Sequence, residues 1–208
     1  MRLHKTHVFC GPSISRKIVE KSFPGAETHA PIAGGDLKAL VRGSSPGNVL
    51  IIDGMFFQKE SVSLTEIKEA IEKGWRIFGS SSMGALRAVE ASPLGMIGIG
   101  RIYRWLKLFR VEDDDEVAQL VNPSSFNAES LAMVDIRHYI ASLVRSKLIS
   151  TADGRSILGE MKNQYFPYRT KELLRKKLAD AGYRGTDPWV PLKKLDAMQA
   201  LSTLARFS

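Results

Sequence analysis

Apolar runs a few residues long alternate with amphipathic stretches as far as Ala91. Val49-Leu50-Ile51-Ile52 is branched and apolar on both faces, as a strand buried in a parallel sheet requires, and it stops at Asp53-Gly54. His7-Val8-Phe9-Cys10, ending at Gly11-Pro12, and Arg76-Ile77-Phe78, entering Gly79, predict two more strands, and Thr28-His29-Ala30 predicts a weaker one. Ser13 is placed to cap a helix from Ile14 to Lys21, and Leu37, Leu40 and Val41 mark another after Gly34-Gly35-Asp36. From Ser63 to Lys73, Leu64, Ile67, Ala70 and Ile71 share one side, with Glu66, Lys68, Glu69, Glu72 and Lys73 largely opposite; Gly74 is the expected stop. Helical spacing resumes from Ala85 to Ala91. Strand and helix in alternation predict the α/β class: an open, mostly parallel sheet flanked by helices, Rossmann-like, with a C-terminal helical segment.

After Pro93 the pattern changes. Gly95, Gly98 and Gly100 read as a loop, a helix is expected from Arg101 to Phe109, and the acidic run Glu112-Asp113-Asp114-Asp115-Glu116 follows. Helical spacing then covers Met133 to Ser146, Thr151 to Asn163, Thr170 to Ala181 and Leu195 to Phe207. In the third of these, Leu174, Leu178 and Ala181 face inward while Lys171, Arg175, Lys176 and Lys177 lie on the other faces. The expected division is an α/β core over residues 1–110, carrying the active-site crevice, and an acidic loop with basic helices over 111–208.

Charge sharpens that division. The net charge is +8, yet residues 1–136 hold 16 basic and 16 acidic side chains, so residues 137–208, with 14 basic and 6 acidic, carry the whole excess. Without aromatic residues interleaved among the cations, an acidic protein surface is a better expected partner than nucleic acid. No apolar run is long enough to cross a bilayer or serve as a signal peptide, which argues against a membrane or secreted protein. The single cysteine, Cys10, excludes an internal disulfide and any multi-cysteine metal site, so a cytoplasmic location is expected. His4, His7, His29 and His138 show no paired-ligand spacing, and no structural metal is expected. Nor is there a G-x-x-x-x-G-K-[ST] loop or a strand followed by G-x-G-x-x-G, so no nucleotide cofactor is expected.

In an open α/β sheet, ligands bind beyond the carboxyl ends of the strands. The loops there read Gly11-Pro12-Ser13, Gly34-Gly35-Asp36, Asp53-Gly54 and Gly79 to Gly84, whose small residues allow close backbone approach. Ser80-Ser81-Ser82-Met83-Gly84 approximates a nucleophile elbow, with Ser82 at the apex and the Met83 N–H toward an oxyanion; a serine-rich helix cap is the plainer alternative. Asp53 is a candidate base, or simply a turn-forming residue. The carboxylates 112–116 repel one another unless solvated or matched by cations such as Arg101 and Arg104. Arg87 and Glu90 have surface-pair spacing, Asp135 and Arg137 read as helix-surface residues, and Cys10 as a buried thiol.

Several of these segments together resemble one family. Val8-Phe9-Cys10-Gly11-Pro12, Gly35-Asp36, Ile51-Ile52-Asp53-Gly54, Phe78-Gly79-Ser80-Ser81-Ser82-Met83-Gly84-Ala85-Leu86-Arg87-Ala88, Gly98-Ile99-Gly100-Arg101-Ile102-Tyr103, Glu112 to Ala118 and Met133-Val134-Asp135-Ile136-Arg137 are similar to the TfuA-like proteins, in order, over residues 7–137. The resemblance implies a partner of YcaO enzymes, which activate a peptide-bond oxygen with ATP; with sulfur installed, the product is a backbone thioamide. It further implies that the protein hydrolyses the C-terminal thiocarboxylate of a ubiquitin-like sulfur carrier protein to supply sulfide, and helps YcaO engage its precursor peptide. On this reading Ser82, Asp53, Glu112, Asp113 and Asp114 are the catalytic candidates. Gly11, Pro12, Asp36, Gly79, Ser81, Met83, Gly84, Arg87 and Arg101 are the substrate-binding candidates. Ser63-Leu64-Thr65-Glu66-Ile67 stands where many relatives carry a histidine-containing segment, so the resemblance supplies no histidine base. Sulfide leaves readily, and a carboxylate whose pKa is raised by burial or like-charged neighbours would suffice. The rival expectations are a non-catalytic adaptor for YcaO and its peptide, and a serine hydrolase of small esters.

Overall fold

A computed structural model describes residues 5–55, 61–108 and 113–206. The chain divides into two compact units, Met1–Glu112 with Lys193–Ser208, and Asp113–Leu192.

The first unit holds five parallel strands, β1 (Thr6–Phe9), β2 (Ala26–His29), β3 (Asn48–Ile51), β4 (Arg76–Ser80) and β5 (Ile97–Ile99), in the order β2-β1-β3-β4-β5. Along the strands successive side chains point to opposite faces. Phe9, Val49, Ile51 and Ile77 therefore meet Leu37 of α2 (Asp36–Gly43), Ile67 and Ala70 of α3 (Leu64–Glu72) and Ala88 of α4 (Met83–Glu90). Val8, Leu50, Ile52 and Phe78 go the other way, against Val19 of α1 (Arg16–Ser22) and Ala197, Ala200, Leu201 and Leu204 of α9 (Leu192–Ala205). The last helix thus returns to cover the sheet.

Two local expectations are corrected. Residues 97–99 are a strand, not a loop; Gly98 is tolerated because a Cβ there would lie 2.2 Å from the Tyr103 ring, which fills that space. Ser13 does not cap α1, whose N-cap is Ser15, because its side chain is used elsewhere. Ser63, by contrast, caps α3 in a reciprocal box with Glu66.

In the second unit, α6 (Met133–Arg145), α7 (Thr151–Lys162) and α8 (Lys171–Asp180) close around Ile136, Ile140, Leu143, Ile157, Met161, Leu174 and Leu178. Thr170 caps α8 through the Leu173 N–H, and Lys171, Arg175 and Lys176 are exposed as the spacing predicts. No described helix is long and apolar enough to cross a membrane.

Candidate active site

In the order 2-1-3-4-5, β1 and β3 are adjacent and their outgoing connections diverge, which opens a crevice beyond their carboxyl ends. Asp53 follows β3 there and is 1% exposed. Its Oδ2 accepts from the Gly11 N–H at 2.9 Å and the Ser13 N–H at 3.1 Å, and its Oδ1 from the Ser13 hydroxyl at 2.6 Å. Burial raises its pKa above the ordinary carboxylate range, against the opposing pull of the Lys193 ammonium and the Ser13 and Gly11 donors. Asp53 is therefore more than a turn former: it ties the loop after β1 to the end of β3. Gly11 has no room for a side chain, since a Cβ would stand 2.5 Å from Pro31.

The neighbouring strand β4 ends in the serine turn. Ser81 takes the left-handed conformation at φ 69°, which is costly for a residue with a Cβ. The strain therefore falls one residue before Ser82, the expected apex. Ser80 and Ser81 donate their hydroxyls to the carbonyls of Asp196 (3.1 Å) and Lys193 (2.9 Å). Ser82 occupies the N-cap position of α4, but its side chain makes no capping bond, which removes the plain reading of a helix cap. Its N–H donates to the Ile52 carbonyl at 3.3 Å, which sets Ser82 beside the residue preceding Asp53. The Gly84 N–H donates to the same carbonyl, whereas the Met83 N–H, the expected oxyanion donor, has no partner among the described residues. Gly79 and Gly84 have a packing reason: added Cβ atoms would fall 2.0 Å from the Gly84 carbonyl and 1.8 Å from that of Ile51, so only glycine lets α4 sit on the sheet.

Helix α9 supplies residues that the sequence reading did not place at this site. Lys193 and Asp196 are each 2% exposed. The Asp196 carboxylate accepts from the Ile102 N–H at 2.7 Å, at the start of α5 (Arg101–Lys107), and is close enough to Gly100 that a Cβ there would meet it at 2.5 Å. Burial raises the Asp196 pKa, against its hydrogen bonds from Ile102 and Arg101. A signal was present: residues 193, 196, 197, 200, 201 and 204 form one helical stripe, and two of them carry charge where the others are apolar.

The remaining candidates are distributed. Asp36 is exposed after β2, accepting from the Ala33 N–H at 2.8 Å, and Pro12 is half-buried beside Gly11. Met83 is buried at the start of α4. Arg87 donates to the Val62 carbonyl at 2.8 Å and pairs with Glu90 at 2.5 Å; Arg101 is exposed after β5. Cys10 is buried, with its thiol pushed up to about 11 by burial and by Asp53, and so stays protonated. Glu112 lies outside the described residues.

Asp113 and Asp114 belong to the second unit, where the acidic run is matched by cations other than Arg101 or Arg104. Lys162 reaches Asp113 (3.2 Å), Asp115 (2.8 Å) and Glu116 (3.1 Å), Arg169 reaches Asp115 (2.7 Å), and Arg137 grips Glu116 through two bonds of 2.8 Å. Burial opposes ionisation of Asp115 and Glu116, but hydrogen bonds from Arg169, Lys162 and Arg137 outweigh it and lower both pKa values. Carboxylates made stronger acids in this way are poor bases, contrary to the expectation from like-charge repulsion. Asp135, read as a surface residue, is 3% exposed.

The fold and site define a doubly wound α/β protein with buried carboxylates and a strained serine turn at the strand ends. A family model described as TfuA-like protein matches residues 53–170, more than half of the chain. The chain belongs to the TfuA-like family, and that membership associates it with thioamidation. No curated protein matches it.

Proposed function

We propose that the protein hydrolyses the C-terminal thiocarboxylate of a ubiquitin-like sulfur carrier and passes the sulfide to a YcaO enzyme for peptide thioamidation. One observation carries this reading: of the three serines in the strained turn, Ser82 alone has a hydroxyl not committed to α9, and its N–H bonds the Ile52 carbonyl, one residue before Asp53, whose pKa burial raises. In this reading oxygen from Ser82, or from water, adds to the thiocarboxylate carbon and Asp53 takes the proton. The Met83 N–H and the α4 N-terminus stabilise the oxyanion. Collapse breaks the carbon–sulfur bond while Asp53 returns the proton to the departing sulfur, which leaves as HS⁻, and the carrier ends as a carboxylate; if Ser82 attacks, water then cleaves the acyl-serine. Asp53 is preferred over Asp113 to Glu116 because Asp113, Asp115 and Glu116 are tied into ion pairs.

Sulfide release from a thiocarboxylated carrier tests it. Ser82→Ala and Asp53→Asn, each folded by circular dichroism, should both lose about 100-fold or more in rate. Undiminished release by both folded variants would remove Ser82 and Asp53 from the mechanism, and no release by the wild type would reject the hydrolase and leave an adaptor.

A second role has its own observation. In the second unit a groove of about 500 Å³ is lined by Tyr139, Tyr183, Trp189, Lys171, Arg175 and Arg184, an aromatic floor with a cationic rim. Charge complementarity fits an acidic stretch of the precursor peptide. Binding of a labelled peptide should weaken with salt and with Arg175→Glu, while sulfide release from the carrier is unchanged.

A further inference from the structure

Two histidines and a glutamate meet at the β1/β2 edge of the sheet, outside the serine and aspartate site. Parallel pairing sets His7 opposite Glu27 and Phe9 opposite His29. Residues 27 and 29 share a face of β2, so Glu27 and His29 both flank His7. The His7 Nδ1 lies 3.0 Å from the His29 Nε2. Glu27 Oε2 is 3.9 Å from the His7 Nδ1, and Oε1 is 3.8 Å from the His29 Nε2. One ligand atom from each of the three falls within 4.8 Å of the others.

Packing fixes both rings. His7 is 1% exposed against Trp75, at 5.7 Å between ring centroids, and His29 stacks on Phe9 at 4.8 Å. Two imidazole nitrogens bound to one tetrahedral zinc ion at about 2.0–2.1 Å stand roughly 3.3 Å apart, so the pair is already near that spacing. Burial lowers the pKa of both histidines. The His7 Nε2 is buried without a partner, so Nδ1 is the atom this residue offers. Glu27 is 44% exposed on an edge strand, where it can swing inward and leave a fourth position to water.

We propose that His7, Glu27 and His29 form a site for a divalent transition-metal ion of the zinc type. Two ring nitrogens with one carboxylate oxygen suit zinc, cobalt or nickel and not the all-oxygen preference of magnesium or calcium. The Lys5 ammonium, which pairs with Glu27, is the cation a metal must displace.

Cobalt(II) and zinc(II) titrations of the untagged full chain test the site, read by visible absorbance and calorimetry. The wild type should bind one ion. Glu27→Gln and His29→Ala, both partly exposed and expected to fold, should each bind more than about 100-fold more weakly, beyond the 10–100-fold typical of outer-shell changes. Lys5→Ala should tighten binding roughly fivefold by removing the competing pair, and His138→Ala should change nothing. Absence of stoichiometric binding, affinity unchanged in folded His29→Ala, or displacement by equimolar magnesium would each overturn the assignment.

Discussion

Removing the Ser13 hydroxyl leaves Asp53 Oδ1 buried and without its closest donor. Ser13→Ala should cost about 1–3 kcal/mol in urea unfolding. The pH dependence of Asp53 has a definite sign. Its folded pKa is raised, so its contribution to stability is full below the ordinary carboxylate range and fades as pH rises through the raised value. Asparagine does not titrate, so the stability of Asp53→Asn relative to wild type should improve from acid to neutral pH; a constant difference would show that Asp53 does not titrate abnormally. At this scale the site was partly legible before the fold was known. Asp53-Gly54 and the serine turn were visible because strands end where small residues begin, but the strain at Ser81 and the role of Ser13 depend on how two distant loops meet, and no local pattern encodes that.

Among the elements, α9 carries the largest consequence. Leu201 is fully buried against the sheet, and Leu201→Ala should cost about 2–5 kcal/mol. The same helix holds the Ser80 and Ser81 hydroxyls through backbone carbonyls, so a chain ending at residue 192 should lose both the sheet cover and the order of the serine turn, read as dye binding to exposed apolar surface. In the second unit, Asp115 and Glu116 have lowered pKa values, so their stabilisation is present above the ordinary carboxylate range and is lost as pH falls through the lowered values. Glu116→Gln should flatten that acid limb and cost about 1–3 kcal/mol at pH 7; an unchanged acid transition would count against the pairing with Arg137. Most elements were legible: β3 from its unbroken branched run, α3 and α8 from their stripes and caps. β5 was hidden by its glycine, and α9, though marked by helical spacing from Leu195, gave no sign of its place on the sheet because Lys193 and Asp196 interrupt its apolar face.

For the molecule as a whole, the basic excess of residues 137–208 is partly consumed internally: Arg137, Lys162 and Arg169 neutralise acids of their own unit, and Lys177 pairs with Glu160. What remains outward on α8 is Lys171, Arg175 and Lys176. The triple change of Arg175, Lys176 and Lys177 to Glu should therefore abolish binding of an acidic peptide at low salt without altering thermal unfolding of the sheet unit; unchanged binding would leave those cations as surface only. The sheet unit is also discontinuous in sequence, because Asp113–Leu192 intervenes before Lys193–Ser208. On a ribosome adding about 5–20 residues per second, that interval corresponds to roughly 4–16 s during which Val8, Leu50, Ile52 and Phe78 are made but their covering helix is not. The sheet must wait for α9 to be translated, and a nascent chain stalled before Lys193 should be held by chaperones that recognise bare apolar strands.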